Sequence, residues 1–360
     1  MTQRAIPFLF MRGGTSRGPY MNRADLPEDR EALARVLVAI VGSGHPLNID
    51  GIGGGNAVTT KTAMLSLSDD DWADVEYFFA QVNVEDQQVD FKPTCGNILV
   101  GVGPAAVEMG LVPVTGDVTE VKIRAVNTGA RVLARVQTPG GAVRYDGAAR
   151  IDGVPGTAAP VELMFQDVVG GATGAMFPTG ARLDEIDGIA VTCMDVAMPM
   201  VIARAEAFGL TGQETVAELE ENRAFYARME AIRVAAGKAM GMGDVSASVT
   251  PKFGLLAPAR AGGTVGTRYF MPWTCHPSLA VTGSQCMAAC LLCPGTVGDG
   301  LAELPDTGPA LLQLEHPMGL LDVVMDYRRD GEGFELISAG LTRTARKLAS
   351  GEVFVPGFVW

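Results

Sequence analysis

Cys95 is the residue whose sequence setting most favours chemistry. It stands in a Thr-Cys-Gly-Asn step just before residues 98–110, a run of small residues that permits a helix. A thiol at the start of a helix meets unpaired backbone N–H groups and the positive end of the helix dipole, and both favour thiolate over thiol. The alternative is a buried apolar role, because free cysteine is among the most buried residue types.

Lys61 is the second candidate. It opens residues 61–67, a segment whose composition and alternation predict a β-strand. An amine and a thiol that face each other could move a proton between two carbons of a small, multiply charged acid, so the pair predicts an enzyme. For Lys61 taken by itself, the alternative is a solvated lysine on a strand.

Size and charge limit the classes of function. A chain of 360 residues exceeds the ~250–300 residues at which single cores stop growing, so two domains are expected. The net charge of −13 disfavours nucleic acid as a partner, and an acid-binding site must supply its own local donors. The longest apolar stretches, such as 196–203 and 286–293, are too short to cross a membrane, and no signal peptide is evident. We therefore expect a cytoplasmic protein.

The cysteine pattern raises the question of a metal. Six cysteines without a secretion signal argue for reduced thiols. Cys286, Cys290 and Cys293 have a C-x3-C-x2-C spacing that other proteins use to hold an iron–sulfur cluster. The apolar residues between them instead place all three sulfurs on one face of a helix, so we expect buried small residues and no metal. The three histidines lack the spacing of a zinc site.

Patterning along the chain predicts many short strands and few helices. Strands are predicted at residues 5–11, 61–67, 75–84, 121–125, 131–137, 161–165, 189–193, 200–205, 252–257, 264–271 and 311–314. Helices are predicted at 30–41, after Cys95, at 213–240 and from Thr282 through the cysteines. Each half thus pairs a β-rich layer with one central helix, a weak internal duplication that would bring two helix starts around one cleft.

The glycine-rich loop at 51–55 does not have the spacing of a nucleotide site. No G-x-G-x-x-G follows a strand and opens a helix, and no G-K-S/T step occurs. The loop instead offers backbone N–H groups beside two threonines, an arrangement suited to a carboxylate.

Several motifs in one order resemble the PrpF family, which includes 2-methylaconitate cis-trans isomerase and 4-oxalomesaconate tautomerases. They are Met-Arg-Gly-Gly-Thr-Ser at 11–16, Ile-Asp-Gly-Ile-Gly-Gly at 49–54, Thr-Lys at 60–61, Cys-Gly-Asn-Ile-Leu at 95–99, Ile-Asp-Gly-Val-Pro-Gly at 151–156, Pro-Thr-Gly at 178–180 and Arg-Thr-Ala-Arg at 343–346. The resemblance spans nearly the whole chain. Departures from the common family pattern fall at Arg17, Leu47, Asn48, Val196 and Trp273.

The resemblance implies a diaminopimelate-epimerase-like α+β fold. Two similar β-rich domains would each wrap around a central helix, with the active site in the cleft between them. We expect the first domain at 1–182 and the second at 183–351, with a C-terminal strand near 352–360 packing on the first.

The resemblance also implies the site. Lys61 and Cys95 match the family's catalytic pair, and Thr282 stands where two-thiol epimerases carry their second cysteine. Residues expected to bind substrate are Arg12, Ser16, Gly54, Thr60, Gly96, Asn97, His276, Ser278, Thr282 and Gly283. Arg12 could contact a carboxylate or brace its loop, and His276 could contact substrate or fix a loop.

The expected activity is a cofactor-independent allylic proton shift in an unsaturated tricarboxylic acid, most like that of a 4-oxalomesaconate tautomerase in aromatic-acid catabolism. A 2-methylaconitate or aconitate isomerase is the alternative enzyme. A non-catalytic carboxylate-binding protein is the alternative of another class. The expected partner is a small di- or tricarboxylate, with no metal, and the sequence leaves a homodimer open.

Overall fold

The computed structural model describes residues 3–151 and 153–360, so Asp152 of the 151–156 motif lies outside the described residues. The chain divides into two compact units. Unit 1 comprises Met1–Phe165 with Thr342–Trp360, and unit 2 comprises Gln166–Leu341.

Strands make up most of the regular secondary structure of the described residues. They are β1 (Gln3–Gly13), β2 (Ser16–Asn22), β3 (Lys61–Leu67), β4 (Val75–Val82), β5 (Val89–Asp90), β6 (Val118–Ala125), β7 (Arg131–Gln137), β8 (Pro160–Phe165), β9 (Asp184–Ile186), β10 (Ile189–Asp195), β11 (Pro199–Arg204), β12 (Lys252–Ala257), β13 (Val265–Phe270), β14 (Ala310–His316), β15 (Gly319–Asp330) and β16 (Gly333–Pro356). The helices are α1 (Arg30–Val41), α2 (Gly96–Leu99), α3 (Val102–Glu108), α4 (Val216–Glu221), α5 (Arg223–Ala239) and α6 (Val281–Leu292). Short 3-10 turns occupy Arg23–Asp25, Pro139–Gly141, Ala205–Phe208 and Gly357–Val359.

The strands of unit 1 run in the order β1-β2-β3-β4-β6-β7-β8. Along this path the pairings are antiparallel, parallel, antiparallel, parallel, antiparallel and antiparallel. The C-terminal part of β16 pairs with the free edge of β1, from Gln3 opposite Pro356 to Gly13 opposite Ala345. The last strand of the chain therefore completes the pairing of the first.

The helices of unit 1 lie on opposite faces of this sheet. The inner core joins apolar side chains of α2 and α3 to residues from β1, β2, β3, β4, β6, β7, β8 and Ala345 of β16. The outer core packs α1 on the other face, where Leu33, Val36, Leu37 and Ile40 recur at helical spacing. Asp29 caps α1 by accepting the N–H of Ala32, and Gly42 ends it in the left-handed conformation.

Unit 2 repeats the topology of unit 1. Its strands run β10-β11-β12-β13-β14-β15-β16, with the same succession of antiparallel and parallel pairings. The helix between the second and third strands, α5, packs on the outer face, and the helix between the fourth and fifth, α6, lies in the inner core. The internal duplication expected from the sequence is confirmed at the level of strand order, and so are the α+β class and the central helix in each unit.

The cysteine-bearing segment is the helix expected from its spacing. Cys286 and Cys290 lie within α6, Cys293 caps its C-terminus, and all three side chains are buried. Among the described residues no group of three or more His, Cys, Asp or Glu side chains is arranged to hold a metal ion. Within the same residues, no helix combines the length and apolar character needed to span a membrane.

The units differ in extent from the expected domains. Residues 166–182 group with unit 2, because the N–H groups of Ala172 and Thr173 donate to the Asp195 carboxylate of β10 at 2.9 and 2.8 Å. Residues 342–351 group with unit 1, because they continue β16 alongside β1. Contacts between distant segments, which local patterning does not report, set both boundaries.

Candidate functional site

Lys61 lies on the inner face of the unit 1 sheet. Side chains alternate along β3, and Ala63 and Leu65 belong to the inner core around α2 and α3, so Lys61 shares their face. It is half-buried, and its Nζ donates to Oε1 of Gln81, the residue directly opposite on β4, over 2.7 Å. The same nitrogen lies 5.4 Å from the centre of the Phe79 ring. The amine therefore occupies a defined position at the end of its strand.

Gln81 is itself held in place by its amide nitrogen. Nε2 donates to Oγ1 of Thr60 over 3.2 Å and to the carbonyl of Ala57 over 3.1 Å. The Thr60 hydroxyl is fully buried and donates to the carbonyl of Val82 over 2.7 Å. Thr60, expected to bind substrate, thus acts on Lys61 through Gln81 in this structure. Gln81 was missed from the sequence, because its role depends on strand register and on no local motif.

Cys95 is the half-buried residue that caps α2. Its carbonyl accepts the N–H of Leu99 over 2.9 Å, the first helical hydrogen bond, so the N–H groups of Gly96 and Asn97 have no partner within the helix. A Cβ added to Gly96 would meet nothing within 4 Å, and the residue is exposed. The thiol and these two donors therefore share one accessible helix start.

The helix expected over 98–110 is interrupted. It consists of α2 and α3, and the N–H of Gly101 bonds the carbonyl of Ile98, one residue closer than in an α-helix. A side chain at Gly101 would collide with the Tyr20 hydroxyl, which donates to the Ile98 carbonyl over 2.6 Å. Pro104 also lacks the N–H that would continue the ladder.

One row of side chains on β4 connects the surroundings of Lys61 and Cys95. Tyr77, Phe79 and Gln81 alternate along the strand and therefore share a face. The Tyr77 and Phe79 rings lie 6.3 Å apart between centroids, and the Tyr77 hydroxyl donates to the Cys95 carbonyl over 3.3 Å. The amine at one end of this row and the thiol at the other thus face the same side of the sheet.

Two buried tyrosines line the thiol. Burial, with the nearby negative charge of a Cys95 thiolate as the next cause, raises the pKa of Tyr20 and of Tyr77 well above the usual value. Both hydroxyls therefore keep their protons near neutral pH. They act as neutral donors that fix the start of α2.

The β1–β2 turn packs on the same helix start. The Asn97 side chain donates to Oγ1 of Thr15 over 3.0 Å and accepts the Thr15 N–H over 3.4 Å. Gly14 has a φ of +52° and lies so close to the Asn97 amide that a side chain would not fit. Asn97 thus braces the turn through its side chain, whereas its backbone N–H remains available.

Ser16 follows this turn, and its buried hydroxyl oxygen has no hydrogen-bond partner among the residues that the structure describes. Strand alternation places Ser16 on the same face as Tyr20 in the inner core. A buried hydroxyl without a partner is unfavourable, so a ligand atom that supplied one would be stabilised.

Arg12 lies at the centre of a row of positive charge. It faces Arg17 of β2 on one side and Arg346 of β16 on the other. No carboxylate of the described residues lies within 4.0 Å of these three guanidinium groups. Burial, followed by the charge of Arg346, lowers the pKa of Arg12. Arg12 also donates from Nη1 to the carbonyls of Gly14 and Thr344, both over 2.8 Å, so the loop-bracing role is the one present here.

Gly54 adjoins this row in the glycine-rich loop. A Cβ at Gly54 would lie 2.8 Å from Nη2 of Arg17 and 2.7 Å from Oγ1 of Thr59. Its backbone is therefore within reach of any anion that Arg17 binds. The neighbouring Asn48, one of the departures from the family pattern, is buried and donates to the carbonyls of Gly42 and Val84 over 3.1 and 3.0 Å.

The unit 2 residues expected at the site collect around the start of α6. Nδ1 of His276 accepts the N–H of Ser278 over 2.9 Å, so this histidine fixes its loop. The Ser278 hydroxyl lies 3.3 Å from Nε2 of His316. Thr282 is half-buried in the first turn of α6, and Gly283 is covered by the Tyr269 ring, which leaves no space for a side chain.

Comparisons with known proteins agree with this architecture. The model of the PrpF protein family matches residues 3–356. YbhH of Escherichia coli (strain K12) is 50% identical over 353 residues, which cover 98% of this chain and 100% of that protein. A 4-oxalomesaconate tautomerase of Pseudomonas putida is 45% identical over 360 residues, which cover 100% of this chain and 99% of the relative. The crystal structure of a methylitaconate-delta-isomerase superposes with a TM-score of 0.87 at 31% identity, covering 100% of this chain and 97% of that one.

Proposed function

Because this chain belongs to the PrpF family, we propose that it is a cofactor-independent isomerase that shifts an allylic proton in an unsaturated tricarboxylic acid, most like a 4-oxalomesaconate tautomerase. The observation that carries the proposal is the placement of the Lys61 amine and the Cys95 thiol on one inner face of unit 1. Lys61 is fixed there by Gln81, and Cys95 by the start of α2.

The proposed reaction begins at Lys61. The neutral amine removes a proton from a carbon next to the conjugated carbonyl, and the electron pair of the C–H bond enters a delocalised dienolate. The N–H groups of Gly96 and Asn97 donate to the oxygen that gains negative charge. Cys95 then returns a proton at the far end of the conjugated system, so the double bond changes position and no atom is gained or lost. The Lys61 ammonium then passes its proton through solvent to the Cys95 thiolate, which restores the starting state of both groups.

The substrate carboxylates are proposed to bind to local donors. Strand alternation puts Arg12, Arg17 and Arg346 on the face opposite Met11, Ser16 and Ala345, so these arginines are not assigned to the site of Lys61 and Cys95. The Ser16 hydroxyl, which has no hydrogen-bond partner among the described residues, and the N–H groups at the start of α2 are the donors on the inner face. A protein of net charge −13 needs such local donors to bind a tricarboxylate.

The relatives also suggest a second candidate substrate. A 2-methyl-aconitate isomerase of Shewanella oneidensis is 31% identical over 394 residues, and it covers 98% of each chain. We retain a 2-methylaconitate or aconitate isomerase as the alternative, because the same amine and thiol would serve either proton shift.

The test is a panel of conjugated tricarboxylates followed by ultraviolet absorbance, which changes when conjugation is gained or lost. Turnover of 4-oxalomesaconate well above that of 2-methylaconitate or aconitate supports the proposal, and the reverse order selects the alternative. Proton NMR in deuterium oxide should show deuterium entering one carbon per turnover.

Variants connect that activity to the site. Lys61→Met should abolish turnover, whereas Lys122→Met, at an exposed position of β6, should leave it unchanged. A protein that binds the acids but turns over none of them would be a non-catalytic carboxylate-binding protein. Full turnover by a folded Lys61→Met variant would contradict the assignment of the base.

A further inference from the structure

The outer face of the unit 1 sheet carries three arginines in a row. Arg12 of β1 lies directly opposite Arg17 of β2 on one side and directly opposite Arg346 of β16 on the other, and all three belong to unit 1. Opposed residues of antiparallel strands have Cα atoms about 4.5–5.5 Å apart, so the row is about 10 Å long. It is therefore a feature of one sheet, on the face away from Lys61 and Cys95.

The positive charge of this row is not neutralised within the part of the chain that the structure describes. No carboxylate of those residues lies within 4.0 Å of the three guanidinium groups. Like charges placed directly opposite each other across strands are destabilising, and a guanidinium does not lose its proton to relieve the repulsion. On a protein of net charge −13, a row of this kind is stabilised by an anion from outside the chain.

Two of the three guanidinium groups are held in place before any ligand arrives. Arg12 is half-buried, and its Nη1 donates to the carbonyls of Gly14 and Thr344, both over 2.8 Å. Its Nε and Nη2 have no acceptor among the described residues. Arg17 lies over the Phe10 ring, 5.6 Å from the ring centre. Groups that are already ordered lose less conformational entropy when they bind, which favours binding at this row.

The glycine-rich loop borders the Arg17 end of the row. A Cβ at Gly54 would lie 2.8 Å from Nη2 of Arg17 and 2.7 Å from Oγ1 of Thr59, so a side chain there would fill the space beside the guanidinium. The N–H groups of Gly53 and Gly55 are used in hydrogen bonds within unit 1, whereas that of Gly54 has no acceptor among the described residues. The loop therefore leaves space and an unused backbone donor next to Arg17.

We propose that this row is a binding site for a small polyanion on the outer face of unit 1, separate from the site of the proton shift. The guanidinium fork pairs with two oxygens of one phosphate or carboxylate group, and three such forks along about 10 Å suit an anion with two or three of these groups. Arg12, expected from the sequence to bind substrate, is thereby assigned to a second site. The proposal does not depend on the isomerase activity, because no residue of the row takes part in it.

Calorimetry with pyrophosphate in metal-free buffer measures binding at the row. The full-length protein is compared with the double variant Arg17→Gln/Arg346→Gln and with Arg35→Gln, a control at an exposed position of α1 on the same side of the sheet. Loss of two charged hydrogen-bonding groups should weaken binding about 100-fold. Arg35→Gln should bind as the unchanged protein does. Lys61→Met, which removes a positive charge from the inner face, should also leave the affinity unchanged.

Thermal unfolding distinguishes a binding role from a structural one. Without an anion, the double variant should unfold at a higher temperature than the unchanged protein, because two repelling charges have been removed. With pyrophosphate in excess, the unchanged protein should gain stability and the double variant should gain little. Arginines that only supported the fold would give the opposite result, a variant that is less stable without the anion.

Citrate in place of pyrophosphate distinguishes a carboxylate ligand from a phosphate ligand. Whichever anion loses more affinity in the double variant identifies the group that the row prefers, and either result supports the site. Equal affinity of the unchanged protein and the double variant for both anions would overturn the proposal, as would no binding of either at millimolar concentration.

The Lys61→Met variant also separates this proposal from the proposed function. A loss of pyrophosphate affinity in Lys61→Met as large as that in the double variant would place the anion on the inner face and overturn the outer site. Binding that needs the row and not Lys61 supports the outer site, whether or not the protein isomerises any of the acids.

Discussion

Lys61 and Gln81 face each other across β3 and β4, and the lysine amine donates to the glutamine amide oxygen over 2.7 Å. The second amide atom of Gln81 is held by Thr60 and by the carbonyl of Ala57. Gln81 therefore positions Lys61, the base of the proposed reaction, and has no ionisable group that could take up the proton in its place. Pre-positioned groups of this kind matter because small displacements of a reacting group lower rates sharply.

Replacement of Gln81 should therefore impair catalysis more than stability. Gln81→Met removes the acceptor for the Lys61 amine, and we expect kcat/KM to fall about 10- to 100-fold. The lost amide bonds should lower the free energy of unfolding by about 1–2 kcal/mol. Steady-state kinetics and urea unfolding measure the two effects. Gln88→Met, at an exposed position after β4, is the matched control and should change neither.

Cys95 should be the thiol that alkylating reagents modify first. It is half-buried, whereas the other five cysteines are buried. Burial raises the pKa of Cys193 and Cys290 to about 12 and of Cys275 and Cys293 to about 11, and it raises that of Cys286 well above the usual value. These five side chains therefore remain thiols near neutral pH and react slowly. Peptide mass spectrometry after brief iodoacetamide treatment should find the label at Cys95.

Labelling of Cys95 should also inactivate the protein. Tricarballylate, a saturated tricarboxylate that cannot isomerise, should slow the labelling by covering the thiol. Cys95→Ser provides the control, since it should take up little label and have lost most activity while still binding tricarballylate. Label distributed over several cysteines before activity falls would contradict the greater accessibility of the Cys95 thiol.

Gly101 should tolerate no side chain. A Cβ there would collide with the Tyr20 hydroxyl, which is buried and bonds the carbonyl of Ile98. Overpacking of a filled core costs about 1–3 kcal/mol, so Gly101→Ala should lower the free energy of unfolding by that amount. Activity should fall as well, because the displaced helix start carries Cys95.

Gly116→Ala tests whether the effect is local. A Cβ at Gly116 has only the carbonyl oxygen of Val118 near it, at 3.9 Å, and the residue is exposed. Urea unfolding of this variant should match the unchanged protein within about 0.5 kcal/mol. Equal losses at both glycines would show that Tyr20 is not the cause.

Glu315 should make unit 2 sensitive to acid. Burial disfavours its charged form, but the N–H groups of Arg260, Gly263 and Ala261 outweigh burial, so the pKa of the carboxyl lies below its usual value of 4.5. Because the unfolded chain takes up the proton more readily, this stabilisation is complete above that value and is lost as pH falls through the folded pKa.

Glu315→Gln should accordingly destabilise the protein by about 1.5–3 kcal/mol near neutral pH, the usual effect of losing hydrogen bonds to a charged group. The difference in the free energy of unfolding between the two proteins should narrow when urea unfolding is repeated at pH values below 4.5. Glu332→Gln, at an exposed position, should produce no such convergence. A difference in the free energy of unfolding that stays constant with pH would mean that the substitution acts through the shape of the side chain and not through its charge.

Local patterning predicted the shorter elements well. Residues 30–41, 61–67, 131–137 and 252–257 form the elements expected from the sequence, with the same limits. β15 was missed, and of β16 only the end near 352–360 was expected. β16 runs for 24 residues past glycines, charged residues and a register shift near Met11. A strand that pairs with β15 in one part and with β1 in another has no single alternating pattern to detect.

The candidate site was predictable only where one residue type carries the chemistry. Lys61 and Cys95 stand out by type and by position before a strand and a helix. Gln81 does not, since its role depends on which residue the strand register brings opposite it. The same limitation explains the break after α2, which follows from contact between Tyr20 and Gly101, residues far apart in the sequence.

The shared strand β16 has a consequence for how the protein is made. β1 leaves the ribosome long before its partner residues, 345–356. Until those residues emerge, one side of β1 exposes unpaired backbone groups that other chains can recruit. Any pause in the second half of the message lengthens that interval, so the yield of folded protein in a cell should fall with slow codons there and rise with chaperones that cover strand edges.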